Sequence, residues 1–309
     1  MSKGTAMEKE MFLQELNNKT EEINEIIYNF LPIEEGYQKI IFETMNYSIK
    51  AGGKRLRPML MFETYKLFAK NDEIIKEIYS FMTAIECIHT YSLVHDDLPA
   101  MDNDDYRRGM LTTHKKYGHA MGVLAGDALL NYAYEVVGDA MVFASDDDKV
   151  NIANAFAELS KKAGIYGMVG GQTVDVTLTG KSIDEKTLNF IYDLKTGALI
   201  EASMVCGAIL AGAESKDIAK VRKIAKNVGL AFQIEDDILD VVSTTEELGK
   251  PVLSDEKNDK TTYVTLYGIE KAKEMAKEKS KQAIELLDSF EEKNDFLREL
   301  LLYLVSRKK

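Results

Sequence analysis

Cysteine is scarce in this chain, whose 309 residues include only Cys87 and Cys206. Both lie in apolar patterns of helical period, where a free thiol usually behaves as a small buried hydrophobic side chain. Two such thiols in a reducing compartment are a better interpretation than a disulfide. The sequence also lacks a membrane-length apolar run and the apolar segment of a secretory signal. We therefore expect a cytoplasmic protein without a membrane partner, in which residues 1–6 are consistent with an added leader and Met7 with the natural start.

Basic residues are also fewer than acidic ones. Asp and Glu number 51 against 39 Lys and Arg, which gives a formal net charge of −12. A general surface for nucleic acid or anionic lipid needs the opposite balance. We therefore expect no nucleic-acid partner, although a local basic pocket remains compatible with this composition.

Proline is rare as well, and strand-like alternation of apolar residues is nearly absent. The four prolines are Pro32, Pro58, Pro99 and Pro251. Each falls where a helical pattern starts or stops, as proline's exclusion from helix interiors requires. Apolar residues between them recur three and four apart, as in 23–30 and 221–232. With no linker-like tract, the sequence predicts an all-α bundle forming a single domain over residues 1–309.

Two acidic motifs stand at the ends of apolar helical patterns. One contains Asp96, Asp97 and Asp102, and the other contains Asp236, Asp237 and Asp240. Carboxylates beside an apolar core repel one another and are costly to desolvate, so a cation would offset the penalty. Short carboxylates suit Mg²⁺, which typically bridges them to substrate phosphates. The competing interpretation is a solvated acidic face.

A di-iron centre is a second alternative for an acidic bundle. It requires two Glu-x-x-His motifs on facing helices. Glu86 and His89 supply one motif, and no other histidine of the chain has a glutamate at that spacing. The sequence therefore disfavours a di-iron centre.

Cations recur near glycines and turns, a pattern that favours phosphate binding. Gly52 and Gly53 precede the first of them. The cations are Lys54, Arg57, Arg107, Arg108, Lys195, Lys250 and Lys260. Set against the six motif aspartates and two diphosphates of about −3 each, they leave about five negative charges, which about three divalent ions would neutralise.

The ordered set of motifs resembles the trans-isoprenyl diphosphate synthases, in particular the bacterial short-chain, farnesyl diphosphate synthase type. The matching segments are 52–58, His89, 96–102, 107–109, 124–129, 167–172, 195–197 and 232–240. One aspartate-rich motif would be weak evidence, whereas this series in the family's order is highly specific. The resemblance implies the family's all-α bundle around a deep central cavity, usually as a homodimer.

The resemblance also implies roles for individual residues. Three Mg²⁺ would be held by Asp96, Asp97, Asp102, Asp236 and Asp240, with Asp237 in support. Isopentenyl diphosphate would be held by Lys54, Arg57, His89 and Arg108. The allylic diphosphate would be contacted by Arg107, Lys195, Lys260 and Lys250, with Thr196, Gln233 and the Lys195 main chain stabilising the carbocation. Leu253 replaces a glycine that is common in the family, so the loop around Lys250 is expected to close differently from the family's.

Product length is the remaining expectation. Tyr91 lies five residues before Asp96, about 7.5 Å along one helix, so its ring would meet a growing chain. The resemblance associates an aromatic residue there, together with the four-residue spacing between Asp97 and Asp102, with a fifteen-carbon product. Ser92 is the second candidate chain-length residue, and Tyr91 could instead be simple core. The alternatives are a geranylgeranyl diphosphate synthase, a class I terpene cyclase and a catalytically silent partner subunit.

Overall fold

The computed structural model describes residues 3–70, 74–242 and 261–305, and nearly all of their regular structure is helical. The all-α prediction is confirmed. The helices are α1 (Lys3–Phe30), α2 (Lys39–Lys50), α3 (Leu56–Phe68), α4 (Glu77–Asp96), α5 (Thr113–Tyr117), α6 (His119–Phe143), α7 (Lys149–Ala163), α8 (Met168–Leu178), α9 (Glu185–Ile191), α10 (Gly197–Leu210), α11 (Ser215–Val242), α12 (Tyr263–Tyr267), α13 (Ile269–Asp288) and α14 (Asp295–Leu304). The short strands β1 (Tyr106–Arg107) and β2 (Met110–Leu111) pair antiparallel, and Tyr192–Thr196 forms a π-helical turn.

The chain divides into two compact units, Met1–Phe62 with Ile74–Ala153 and Glu63–Glu73 with Asn154–Lys309. The single domain over 1–309 stays a prediction. Within the described ranges, the structure contains no helix with the length and apolar character needed to cross a bilayer.

In the first unit, α4 is the central helix. Its side chains are buried on nearly every face from Ile78 to Val94, as expected for a helix that is apolar all round. It packs against α1, α2 and most extensively α6. This packing fixes the C-terminal end of α4, where the first acidic motif begins.

In the second unit, α10 is buried along its length and packs against α11, which packs in turn against α13. Small residues allow the close approach: a Cβ on Gly229 would come within 3.2 Å of the Cα of Gly197. The π-helical turn lies between α9 and α10 and contacts α8 and α11. It therefore sits beside the helix that carries the second acidic motif.

Gly126→Ala should test the contact between α4 and α6. A Cβ at this position would lie 2.0 Å from Nε2 of His95, so the imidazole or the helix must move. Overpacking of this kind typically costs about 1–3 kcal/mol. We expect a lower melting temperature, measured by circular dichroism.

Gly138→Ala is the matched control, because it lies on the same helix and its added Cβ would meet nothing within 4 Å. Alanine in a helix interior is favoured over glycine by about 0.8–1.0 kcal/mol. This variant should be as stable as the parent or more so. Equal melting temperatures for the two variants would contradict the close contact.

Candidate active site

The first acidic motif begins where α4 ends and then folds back on itself. The backbone N–H of Asp102 donates to the carbonyl of Asp96 at 2.8 Å, and that of Asn103 to the carbonyl of Leu98 at 3.1 Å. Asn103 adopts a left-handed φ of 54° to make this return. The loop therefore brings the backbones of Asp96 and Asp102 together at the C-terminus of a helix, where the macrodipole disfavours anions.

The second aspartate of that motif, Asp97, is paired with an arginine. Nε of Arg107 donates to both oxygens of Asp97 at 2.8 and 2.9 Å, and Nη2 donates at 2.5 Å. Burial raises the pKa of Asp97, and the hydrogen bonds and charge of Arg107 oppose that rise. In this state Asp97 and Arg107 neutralise each other, so a metal ion at Asp97 would have to share its oxygens with Arg107 or displace that partner.

A tight hairpin positions the two adjacent arginines, 107 and 108. β1 and β2 are joined by Arg108 and Gly109, whose φ values of 54° and 77° are the left-handed pair that a type I′ turn requires. Nη1 of Arg108 donates to the carbonyl of Gly52. Gly53 lies so close that a Cβ there would come within 2.7 Å of the Arg108 guanidinium. Arg108 thus contacts residues 52–55 between α2 and α3, which we call the glycine loop.

A cavity of about 530 Å³ opens beside this loop, and Lys54, Arg57, His89 and Arg108 all line it. Nε of Arg57 is buried without a hydrogen-bond partner. Burial lowers the pKa of Arg57 to about 10, although Glu86 opposes the shift. The pKa of His89 lies well below its usual value because of burial and neighbouring arginines, so this imidazole is neutral. The cavity gathers positive charge that an anion would satisfy.

In the second acidic motif, as in the first, one of the two adjacent aspartates is buried and bonded inside the protein. Asp237 is 4% exposed and accepts hydrogen bonds from the Tyr192 hydroxyl, at 2.8 and 2.9 Å to its two oxygens, and from the Tyr263 N–H at 2.9 Å. Asp236 is half-buried and lines a cavity of about 210 Å³. Asp240 is buried one turn further along α11. The internal bonds of Asp237 fit the supporting role expected for it.

The smaller cavity also brings together the residues expected to stabilise a carbocation. Lys195, Thr196 and Gln233 line it together with Asp236. Nζ of Lys195 donates to Oδ2 of Asp175 at 2.6 Å, which holds the lysine side chain against α8. The π-helical turn supplies Lys195 and Thr196, and such turns are frequent at functional sites.

Two predicted residues, Lys250 and Lys260, lie outside the described residues, as does Leu253. Across 3–70, 74–242 and 261–305, no group of three or more His, Cys, Asp or Glu side chains is close enough to hold a metal ion by itself. A cation at either motif would therefore need water or phosphate oxygens as further ligands. Mg²⁺ has that preference, so these carboxylates suit it.

The family model described as polyprenyl synthetase matches residues 38–301. The chain belongs to the polyprenyl synthetase family. It is a trans-prenyltransferase, and prenyl diphosphates are the substrates that fit this family.

Relatives in the polyprenyl synthetase family carry two product names. A farnesyl diphosphate synthase of Micrococcus luteus is 43% identical over 88% of this chain and 91% of its own. A chloroplastic geranylgeranyl pyrophosphate synthase of Capsicum annuum is 47% identical over 82% of this chain and 67% of its own. A geranyltransferase structure from Helicobacter pylori, described as complexed with magnesium and isoprenyl diphosphate, has a TM-score of 0.81 and 30% identity, covering 95% of this chain and 96% of that one.

Sequence reasoning missed several residues of this polyprenyl synthetase site. Asp175, Tyr192 and Tyr263 hold Lys195 and Asp237, and Glu86 lines the larger cavity. Asp175 lies three residues after Gln172, the last residue of the matched segment 167–172. That proximity could have marked Asp175 as a site residue. The sequence contains no comparable signal for the two tyrosines, because their roles depend on contacts between segments distant in sequence.

Asp237→Asn should destabilise this synthetase even without ligand. The amide can accept only through one oxygen, so the buried Tyr192 hydroxyl and Tyr263 N–H lose part of their hydrogen bonding, at about 1–3 kcal/mol. Urea unfolding should show a lower free energy of unfolding.

Asp236→Asn, one residue away and half-buried, is the control for that substitution. It should leave the free energy of unfolding closer to that of the parent while still lowering turnover. The supporting role of Asp237 would be refuted if the two variants were equally stable.

Proposed function

We propose that the chain is a farnesyl diphosphate synthase, which condenses isopentenyl diphosphate with dimethylallyl or geranyl diphosphate and releases diphosphate. The observation that carries the isopentenyl site is the larger cavity. Its lining includes Lys54, Arg57, His89 and Arg108, so three cationic side chains and an imidazole surround a space that a diphosphate could enter. A class I terpene cyclase has no use for such a second diphosphate site.

The allylic diphosphate is assigned to the acidic motifs and the cations near them. Asp96, Asp102, Asp236 and Asp240 would hold Mg²⁺, with Asp97 joining them on release of Arg107. About three ions match the charge count over the motifs and diphosphates. When bound, Mg²⁺ supplies electrostatic stabilisation of the departing diphosphate. Arg107, Lys195, Lys250 and Lys260 would share the leaving group's negative charge.

The reaction places specific demands on the chain's own groups. The allylic carbon–oxygen bond breaks with its electron pair leaving on diphosphate, and the double bond of isopentenyl diphosphate then attacks the carbocation. Attack leaves a new carbocation, which loses a proton to the released diphosphate and so forms a double bond. The Thr196 hydroxyl, the Gln233 amide oxygen and the Lys195 carbonyl would present negative dipoles to the cation. Apolar walls must exclude water, which would otherwise trap the cation as an alcohol.

Tyr91 supports the fifteen-carbon product. It is 7% exposed on α4, one and a half turns before Asp96, with Ser92 beside it. Burial raises the pKa of its hydroxyl to about 12, so the ring stays neutral. The ring would block the path of a longer chain. A geranylgeranyl product is the second candidate, favoured by relatives of that name, while the homodimer and the cytoplasmic location stay predictions.

Product sizing tests the proposed function directly. The purified chain is incubated with Mg²⁺, labelled isopentenyl diphosphate and dimethylallyl diphosphate, and the hydrolysed products are sized. We expect fifteen carbons. A twenty-carbon product would identify a geranylgeranyl synthase, and absence of any condensation would refute both.

Replacing Asp96 and Asp236 together by alanine should lower turnover at least a hundredfold, by loss of leaving-group stabilisation. Asp146→Ala is the control, because Asp146 is an exposed carboxylate in the turn before α7. Its turnover should match the parent. Undiminished activity in the double variant, or in the parent under exhaustive chelation, would refute the proposal that these aspartates bind Mg²⁺ for the reaction.

Tyr91→Ala should lengthen the product to twenty carbons or more, as judged by the same sizing. Tyr91→Phe keeps the ring and removes only the hydroxyl, so it should still stop at fifteen. A fifteen-carbon product from Tyr91→Ala would show that this ring is ordinary core.

A further inference from the structure

One cation of the glycine loop is already fully paired. The side chain of Arg55 is completely buried, and its fork reaches three separate elements. Nε donates to Oδ1 of Asn24 on α1 at 2.7 Å, Nη1 to Oε1 of Glu86 on α4 at 2.6 Å, and Nη2 to the carbonyl of Ile49 on α2 at 2.7 Å. Such a guanidinium cannot turn towards a ligand without breaking all three bonds.

The backbone at this loop is held in an unfavourable shape. Gly52, Gly53 and Arg55 have left-handed φ values of 89°, 135° and 47°. The glycines adopt such values freely, whereas for a residue with a Cβ this conformation costs roughly 1–2 kcal/mol of conformational free energy. The three side-chain bonds of Arg55 offset that strain. They fix the loop between Lys54, which is exposed, and Arg57, which faces the cavity.

Glu86 creates the need for this arrangement. It lines the same cavity as the four proposed isopentenyl diphosphate residues, and its side chain is 2% exposed. An unpaired carboxylate there would repel a diphosphate, because buried charges interact through a low dielectric. Arg55 supplies the charge that cancels it.

We propose that Arg55 is a positioning residue of the isopentenyl diphosphate site, acting by neutralising Glu86 and fixing the glycine loop without touching the substrate. The inference rests on the proposed function. The two nearby arginines then have different roles: Arg55 bonds only to the protein, and Arg57 contacts the ligand.

Steady-state kinetics with each substrate varied separately tests this. Arg55→Met leaves Glu86 uncompensated, so the KM for isopentenyl diphosphate should rise at least tenfold while the KM for geranyl diphosphate changes less than twofold. Adding Glu86→Gln removes the repelling charge, and the double variant should return to within threefold of the parent. Glu86→Gln alone should bind isopentenyl diphosphate at least as tightly as the parent.

Arg222→Met is the matched control. Arg222 lies in the second unit and bonds Glu158 at 2.6 and 3.0 Å and also Glu201. Its loss should lower the melting temperature and leave the KM for isopentenyl diphosphate unchanged. If Arg55→Met does not fold, Arg55→Lys, which keeps the charge but not the fork, should raise that KM two- to fivefold.

The outcomes separate the two proposals. A parent enzyme that makes no prenyl product refutes the proposed function. An active parent in which the Arg55 variants alter both KM values equally, or alter only the melting temperature, refutes the positioning role. A double variant no better than Arg55→Met also overturns it, because charge cancellation would then not be the cause.

Discussion

Carboxylates next to an apolar helical core need a partner, and both acidic motifs are organised by that requirement. In each Asp-Asp pair the second residue is buried and internally satisfied: Asp97 by Arg107, and Asp237 by a tyrosine hydroxyl and a backbone N–H. The first residue, Asp96 or Asp236, is half-buried. The buried member ties its helix to a neighbouring segment, and the half-buried member is accessible to a cation. The two adjacent aspartates of each motif therefore have different roles.

The cations follow the same division. Arg107 makes a bidentate contact with Asp97, and Arg55 donates one hydrogen bond to Glu86, whereas Arg57 keeps a buried N–H without a partner. A cavity lined only by unpaired cations would be costly to fold, because desolvation and mutual repulsion act together. Pairing some of them internally limits this cost. The remaining positive charge lines the cavity proposed for isopentenyl diphosphate.

The sequence predicted the fold class and where the acidic motifs lie, because burial imposes a helical period that can be counted. The end of α4 at Asp96 and the position of Asp236 on α11 follow from that period. The hairpin at Arg107 and Arg108 and the π-helical turn at Lys195 were not predicted. Both are single local departures that tertiary contacts stabilise, the hairpin through the glycine loop and the turn through α8. Pairings such as Lys195 with Asp175 likewise arise only once helices pack.

Backbone strain offers an independent reason to connect these loops with function. Among the described residues, the non-glycine positions with left-handed φ are Arg55, Asn103 and Arg108. Each lies in a segment proposed to bind a diphosphate or a metal, and none lies in the loops that merely join helices of the second unit. Strain persists where surrounding bonds over-determine the backbone, and it is common at ligand sites. Here the fork of Arg55, the return of Asp102 to Asp96 and the bond from Arg108 to Gly52 supply that constraint. The same contacts that compensate for the strain therefore fix the backbone of the segments proposed to bind.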